Sequence, residues 1–195
     1  MADTRGVFGL RQVLLFKNKN EWVPLEDVWL EPPFPGTGYF GGISGRTSLM
    51  DKTTYSSDTT VAVPSANLTR TVSEHAATGN STSGYFGGGR SPSYTSTMDK
   101  VTYSSDTTAA VPGANLSAAR YALAATGNST SGYFGGGITP SATSTLMDKV
   151  TYVSDTTVAV PGANLSAARY AFAATGNSTH GYFGGGQSGP ATTAL

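Results

Sequence analysis

The sequence predicts an all-β protein built from four-stranded repeats of about 48 residues, the size of a β-propeller blade. Three observations carry this. The block Gly-Tyr-Phe-Gly-Gly recurs, starting at Gly38, Gly84, Gly132 and Gly181. Between its copies an Asp-Lys strand with alternating, β-branched character begins at Asp51, Asp99 and Asp148. Gly, Ser, Thr and Ala dominate, and only 12% of residues are charged, about half the usual share. Repetition at this period means units that bury an apolar face against their neighbours, and it argues against a single active site.

Residues 1–37 differ from the remainder. They hold both tryptophans, Trp22 and Trp29, and the charged residues Lys17, Lys19, Glu21, Glu26 and Asp27. Val13-Leu-Leu-Phe16 and Trp22-Val-Pro-Leu25 flank Lys17-Asn-Lys-Asn20, which predicts a β-hairpin with a third short strand at Val28-Trp-Leu30. Glu31-Pro-Pro-Phe-Pro-Gly36 predicts a stiff linker, because proline fixes φ and biases its predecessor towards extended backbone. So small a segment buries little alone, so it is expected to anchor or oligomerise, with Trp22 and Trp29 as anchors.

From residue 38 the parts recur in order, as repeats 38–83, 84–131 and 132–180 and a final half-repeat 181–195. Each opens on the short aromatic strand: Gly84, Tyr85, Phe86, Gly87 and Gly88; then Gly132, Tyr133, Phe134, Gly135 and Gly136; finally Gly181, Tyr182, Phe183, Gly184 and Gly185. A variable loop follows at 89–97 or 137–145, then the Asp-Lys strand at 99–103 or 148–152. Ser-Asp-Thr-Thr turns the chain, with Asp106 expected to cap its own turn. A third strand at 109–111 or 158–160 ends in Pro-Gly. The Arg-led segment 120–126 is expected as a fourth strand, although its alanines also suit a helix over 115–126. Gly-Asn-Ser-Thr returns the chain to the next aromatic strand.

The order of parts resembles kelch-type repeats: an aromatic strand ending in Gly87-Gly88, Gly135-Gly136 or Gly184-Gly185, a strand with a Tyr (Tyr55, Tyr103, Tyr152), and an Arg-led return (Arg120, Arg169). The kelch tryptophan has no counterpart. The opening Met-Ala-Asp-Thr-Arg-Gly-Val-Phe-Gly-Leu, the stretch from Trp22 to Trp29 and the aromatic repeats together resemble a group of proteins from marine bacteriophages, chiefly those infecting cyanobacteria. That resemblance implies a virion structural protein. The first repeat departs from the others: Arg70-Thr-Val-Ser-Glu-His75 stands where they have Ala-Ala-Arg-Tyr and an apolar pair, so the Arg–Tyr pair is missing there.

Propellers close with four to eight blades, and three repeats fall short. Three arrangements follow: the N-terminal strands complete a fourth blade, several chains combine their blades in a ring, or repeats stack linearly in a fibre.

Composition narrows the chemistry. Twelve basic residues balance twelve acidic ones, which gives no field to draw nucleic acid. Without cysteine there are no disulfides and no thiolate metal sites. No apolar run approaches a membrane helix, and the N-terminus has no signal-peptide pattern. His75 and His180 have no partner pattern, and no Gly-x-Ser-x-Gly elbow occurs. The glycine doublets lack the Lys-Ser/Thr of a P-loop. Asp58, Asp106 and Asp155 offer one carboxylate per repeat, thin for a hard cation and ordinary for an Asx-type turn. The Asp-Lys neighbours point to opposite faces, so each lysine is expected to meet an acid on an adjacent strand or blade. Arg120 and Arg169 are expected as inter-blade anchors, since the guanidinium fork reaches several carbonyls. Asn67, Asn80, Asn115, Asn128, Asn164 and Asn177 lie in Asn-x-Ser/Thr sequons, but these are three copies of two turns. The aromatic strands suit either blade core or stacking on sugar rings.

The expectation is a non-enzymatic virion structural protein, a fibre, spike or tail/capsid appendage, without catalytic residues, cofactor or metal. It would be assembled in the host cytoplasm and would contact itself and, through residues 1–37, other virion proteins, with neither nucleic-acid binding nor membrane insertion. The alternative is an adhesin module that binds host-surface polysaccharide through its variable loops.

Overall fold

A computed structural model of the chain describes residues 36–42 and 47–189. The expected N-terminal hairpin and the anchoring role of Trp22 and Trp29 lie outside the described residues.

The described chain is all-β. Strands β1 (Thr37–Gly41), β2 (Met50–Thr54) and β3 (Thr59–Ala62) form the first sheet, in that order. Strands β4 (Ala76–Gly79) and β5 (Ser83–Gly87) open the second. A small ribbon, β6 (Arg90–Ser91) with β7 (Ser93–Tyr94), sits in the following loop. Strands β8 (Met98–Thr102) and β9 (Thr107–Ala110) then complete the order β4-β5-β8-β9. The third sheet repeats this with β10 (Ala124–Gly127), β11 (Ser131–Gly135), β12 (Met147–Thr151) and β13 (Thr156–Ala159). Strands β14 (Ala173–Gly176) and β15 (Gly181–Gly184) form the last pair. All pairings are antiparallel.

Each four-stranded sheet takes its first strand from the end of the preceding sequence repeat. That strand is shorter than expected: it starts at Ala124, not Arg120, and the helix alternative for 115–126 does not form. A 3-10 turn at Pro112–Ala114 is followed by an irregular segment in which Ala122 has φ 53°. The reason lies in tertiary contacts. The Arg120 amide donates to the Thr95 carbonyl and the Leu116 amide to Ser96, so the segment lies along the second sheet's loop. Its side chains then reach the third sheet.

Two sets of asparagines hold this geometry. Asn80, Asn128 and Asn177 accept, through Oδ1, the amides two and three residues on, such as Thr130 at 2.9 Å and Ser131 at 3.0 Å, and so form the β4-β5, β10-β11 and β14-β15 turns. Asn67, Asn115 and Asn164 accept the amides of Met50, Met98 and Met147 at 2.9–3.0 Å, tying each connector to its sheet. Every sequon asparagine therefore has a structural task.

Register sets the packing. In the second sheet Tyr85 lies opposite Lys100 and Phe86 opposite Asp99; in the third, Tyr133 opposite Lys149 and Phe134 opposite Asp148; in the first, Tyr39 opposite Lys52 and Phe40 opposite Asp51. Strand alternation puts Tyr and Lys on one face and Phe and Asp on the other. The Phe/Asp face meets the preceding sheet: a Cβ built on Gly87 would stand 3.3 Å from the Phe134 ring, and one on Gly41 3.4 Å from Phe86. The Tyr/Lys face meets the following sheet. Each sheet thus has a distinct back and front.

The apolar core lies between sheets. Met50, Leu68, Val72, Phe86 and Val101 fill the first interface; Tyr85, Met98, Leu116, Leu123, Phe134 and Val150 fill the second. Glycine is required where the aromatic strand ends. Gly88 has φ +70°, and a Cβ there would lie 2.7 Å from the Arg120 carbonyl oxygen, so any side chain meets both backbone strain and backbone atoms.

Candidate functional site, the repeated contact between sheets

Two polar clusters recur where the first described sheet meets the second and the second meets the third. The first is built on arginine. Arg120, fully buried, donates from Nη2 to Asp148 Oδ2 at 2.8 Å and to the Phe134 carbonyl at 3.0 Å, and from Nη1 to the Leu146 carbonyl at 3.1 Å. The Ser117 amide also donates to Asp148 Oδ2, at 3.0 Å. Burial pulls the Arg120 pKa below its ordinary value, and the Asp148 charge opposes that shift. A buried ion pair gains little net energy, but removing one partner strands the other in low dielectric.

The first interface contains the same cluster from a different sequence position. Arg70 forms an ion pair with Asp99 at 3.1 Å and donates to the Thr97 carbonyl at 2.8 Å, and Thr69 donates to both oxygens of Asp99. The backbone equivalent of Arg120 there is Val72, which donates to Thr47 as Arg120 does to Thr95. The arginine that the sequence alignment lacks in the first repeat is supplied two residues earlier. Its long side chain absorbs the shift, so spacing alone could not find it.

The second cluster joins a tyrosine and a lysine to the next sheet's turn aspartate. Tyr85 Oη and Lys100 Nζ both donate to Asp155, the lysine at 2.9–3.0 Å, and the Tyr85 ring stacks on Tyr152 with centroids 4.9 Å apart. Tyr39 Oη and Lys52 Nζ do the same to Asp106, and Tyr39 stacks on Tyr103 at 4.8 Å. The expected acid for Lys52 and for Lys100 is therefore on the following sheet. Asp58, Asp106 and Asp155 have φ of 50–51°, the left-handed geometry that Asp tolerates. The carboxylates of Asp106 and Asp155 do not cap their own turn, as composition suggested. They reach across to the preceding sheet. Burial, then the hydrogen bond to Asp155, pushes the Tyr85 hydroxyl pKa up, and burial raises Tyr103 to about 12. Hydrogen bonds from Tyr39 and Lys52 hold the Asp106 carboxyl below its ordinary value.

Of the aromatic-strand residues, Tyr85, Phe86 and Phe134 are buried, Tyr133 and Phe183 are partly covered, and Tyr182 is exposed. Arg169, the third arginine of the series, is half-buried and makes only long hydrogen bonds, to the Gly185 carbonyl at 3.4 Å and the Ala167 carbonyl at 3.5 Å. A concavity of about 480 Å³ opens between the third sheet and the last strand pair, lined by Tyr133, Met147, Leu165 and Tyr182. Among the described residues no three His, Asp or Glu side chains converge as metal ligands.

His75 stands where the later repeats have Leu123 and Phe172. Its ring lies against Phe86, with centroids 5.9 Å apart. Burial, reinforced by the Arg70 charge, lowers its pKa from 6.5 to about 4. The unfolded chain therefore binds this proton first. The contribution of His75 is complete above about pH 6.5 and declines as pH falls towards 4, by on the order of 3 kcal/mol. His75→Leu is expected to remove this part of the acid sensitivity. Urea midpoints measured from pH 7 to pH 4 check it: an unchanged pH profile in the variant rules out the neutral buried imidazole.

No family model matches this sequence, and no match to a curated protein is found.

Proposed function

We propose that this chain is a non-enzymatic structural protein whose sheets are propeller-type blade units of kelch-like order, joined into a rigid virion appendage such as a fibre, spike or tail component. One observation carries the reading. Where the first three sheets meet, the titratable and aromatic groups that recur with the repeat, which chemistry would need free, are engaged in holding sheet to sheet: Arg120 with Asp148, and Tyr85 and Lys100 with Asp155. Repetition serves stacking, and the mechanism is geometric. The low charge and the absence of thiols suit a body whose stability comes from packing and hydrogen bonds.

The experiment is immunogold labelling of particles purified from a lysate. Gold at one fixed location on intact particles is expected; protein found only in the soluble lysate removes the reading. A specific observation favours a second role for the same body. The frame repeats while its loops differ, with a two-stranded ribbon at Arg90–Tyr94 in one repeat and a bridge between Ile138 and Thr143 in the next. Such loops suit weak, multivalent glycan binding. Replacing residues 89–97 by a Gly/Ser loop is expected to abolish host attachment with particles intact if that role holds; unchanged attachment excludes it.

A further inference from the structure

The two ends of the described stack are complementary halves of one interface. At the front of the third sheet stand Tyr133 and Lys149, the residues that in the earlier sheets clasp the next sheet's turn aspartate. Among the described residues neither has such an aspartate. Arg169, in the repeat position of Arg120, is likewise without a strand aspartate among the described residues, unlike Arg70 and Arg120. At the back of the first sheet stand the missing counterparts. Asp51 occupies the register position of Asp99 and Asp148, and Asp58 that of Asp106 and Asp155, and neither meets an arginine or lysine among the described residues. Phe40 on that face is 60% exposed, although its equivalents Phe86 and Phe134 are buried. The strands are complementary too. Among the described residues the first sheet has no strand in the place of β4 and β10, and the β14-β15 pair has none in the places of the two that follow β5 and β11.

We infer that a second copy of this chain docks front to back, its first sheet completing the half-sheet begun by β14. The inference rests on the stacking reading above. Gly38-Tyr-Phe-Gly-Gly42 of the incoming copy has the same sequence as Gly181-Tyr-Phe-Gly-Gly185 and takes the place of β15 beside β14, in the same register. The exchange favours the incoming strand for a physical reason. β15 is mostly exposed and among the described residues pairs with β14 alone, whereas β1 is already held to its own second sheet through Tyr39 and Asp106. In the joint, Arg169 meets Asp51, Tyr133 and Lys149 meet Asp58, and Phe40 fills the place of Phe183 against Gly135. Because front and back differ, the contact is heterologous and propagates into a ring or a filament.

Mass measured against concentration by sedimentation velocity on the full chain tests this. Wild type is expected to grow from 20.0 kDa to larger species as concentration rises. Arg169→Glu and Asp51→Arg, both outside the filled interfaces, are each expected to weaken association on the order of 100-fold, the cost of an unpaired buried charge. Mixed in equal amounts, they regain association, because the reversed front meets the reversed back. A 20.0 kDa species at every concentration overturns the inference, since the ends are then covered within one chain, by residues 1–35 or otherwise. So do single variants that associate like wild type, since another surface then makes the contact. Particle location is read separately. A chain fixed in particles yet monomeric in solution removes this joint and leaves the structural reading; a chain that joins front to back but is absent from particles does the reverse.

Discussion

Arg120→Ala is expected to destabilise the protein by about 3–5 kcal/mol, the range for breaking a buried ion pair from one side. Arg120 and Asp148 are both fully buried, so the variant leaves a carboxylate in low dielectric with only the Ser117 amide on it. The Phe134 and Leu146 carbonyls each lose a guanidinium donor as well, although Leu146 keeps the Gly136 amide at 2.9 Å. The double variant Arg120→Met/Asp148→Leu is expected to be more stable than Arg120→Ala, because neither charge is then stranded. Arg169→Ala, at the half-buried position that makes only long hydrogen bonds to carbonyls, is expected to change stability by less than about 0.5 kcal/mol in dilute protein. Urea titration of the four proteins checks this. A small loss for Arg120→Ala, similar to that for Arg169→Ala, shows that the guanidinium does not join the second and third sheets.

Phe134→Ala is expected to cost about 3–5 kcal/mol, and Phe40→Ala within about 0.5 kcal/mol, although both phenylalanines sit in the same five-residue block. Phe134 is fully buried in the interface between the second and third sheets, end-on to Gly87, and the backbone cannot close over the cavity without moving β5. Phe40 is 60% exposed on the back of the first sheet. The corresponding melting shifts are roughly 10 °C and about 1 °C for a chain of this size. Calorimetry at a concentration where the chain is monomeric measures both. Equal losses at the two positions would mean that the back of the first sheet is covered in the isolated chain. Phe40→Ala is also the variant that separates stability from assembly, since it removes an apolar group from the proposed joint without weakening the chain.

Much of the frame was legible in the sequence. Period-2 alternation and β-branching in the Asp-Lys strand, and the aromatic strand closed by glycines, mark β-strands because an extended backbone sends neighbours to opposite faces. The Gly-Asn turns were legible for the same local reason: an asparagine that caps its own turn needs only its neighbours. The Arg-led strand was misplaced at its start, since the carbonyls of Thr95 and Ser96 hold the segment before Ala124 off β11, and its pairing is the single bridge of Tyr121 to Ile138.

By itself, then, the sequence determined what one repeat needs for its own backbone: where strands run, where glycine must stand, and which residues share a face. Tertiary structure decided everything that depends on a second sheet. It showed that Arg70 does the work of Arg120 from two residues away, that the carboxylates of Asp106 and Asp155 face the preceding sheet instead of their own turns, and that identical phenylalanines differ between full burial and exposure. The physical reason is that dihedral and turn preferences act over a few residues. Burial and ion pairing arise between segments about 30 to 70 residues apart, whose approach no local pattern records.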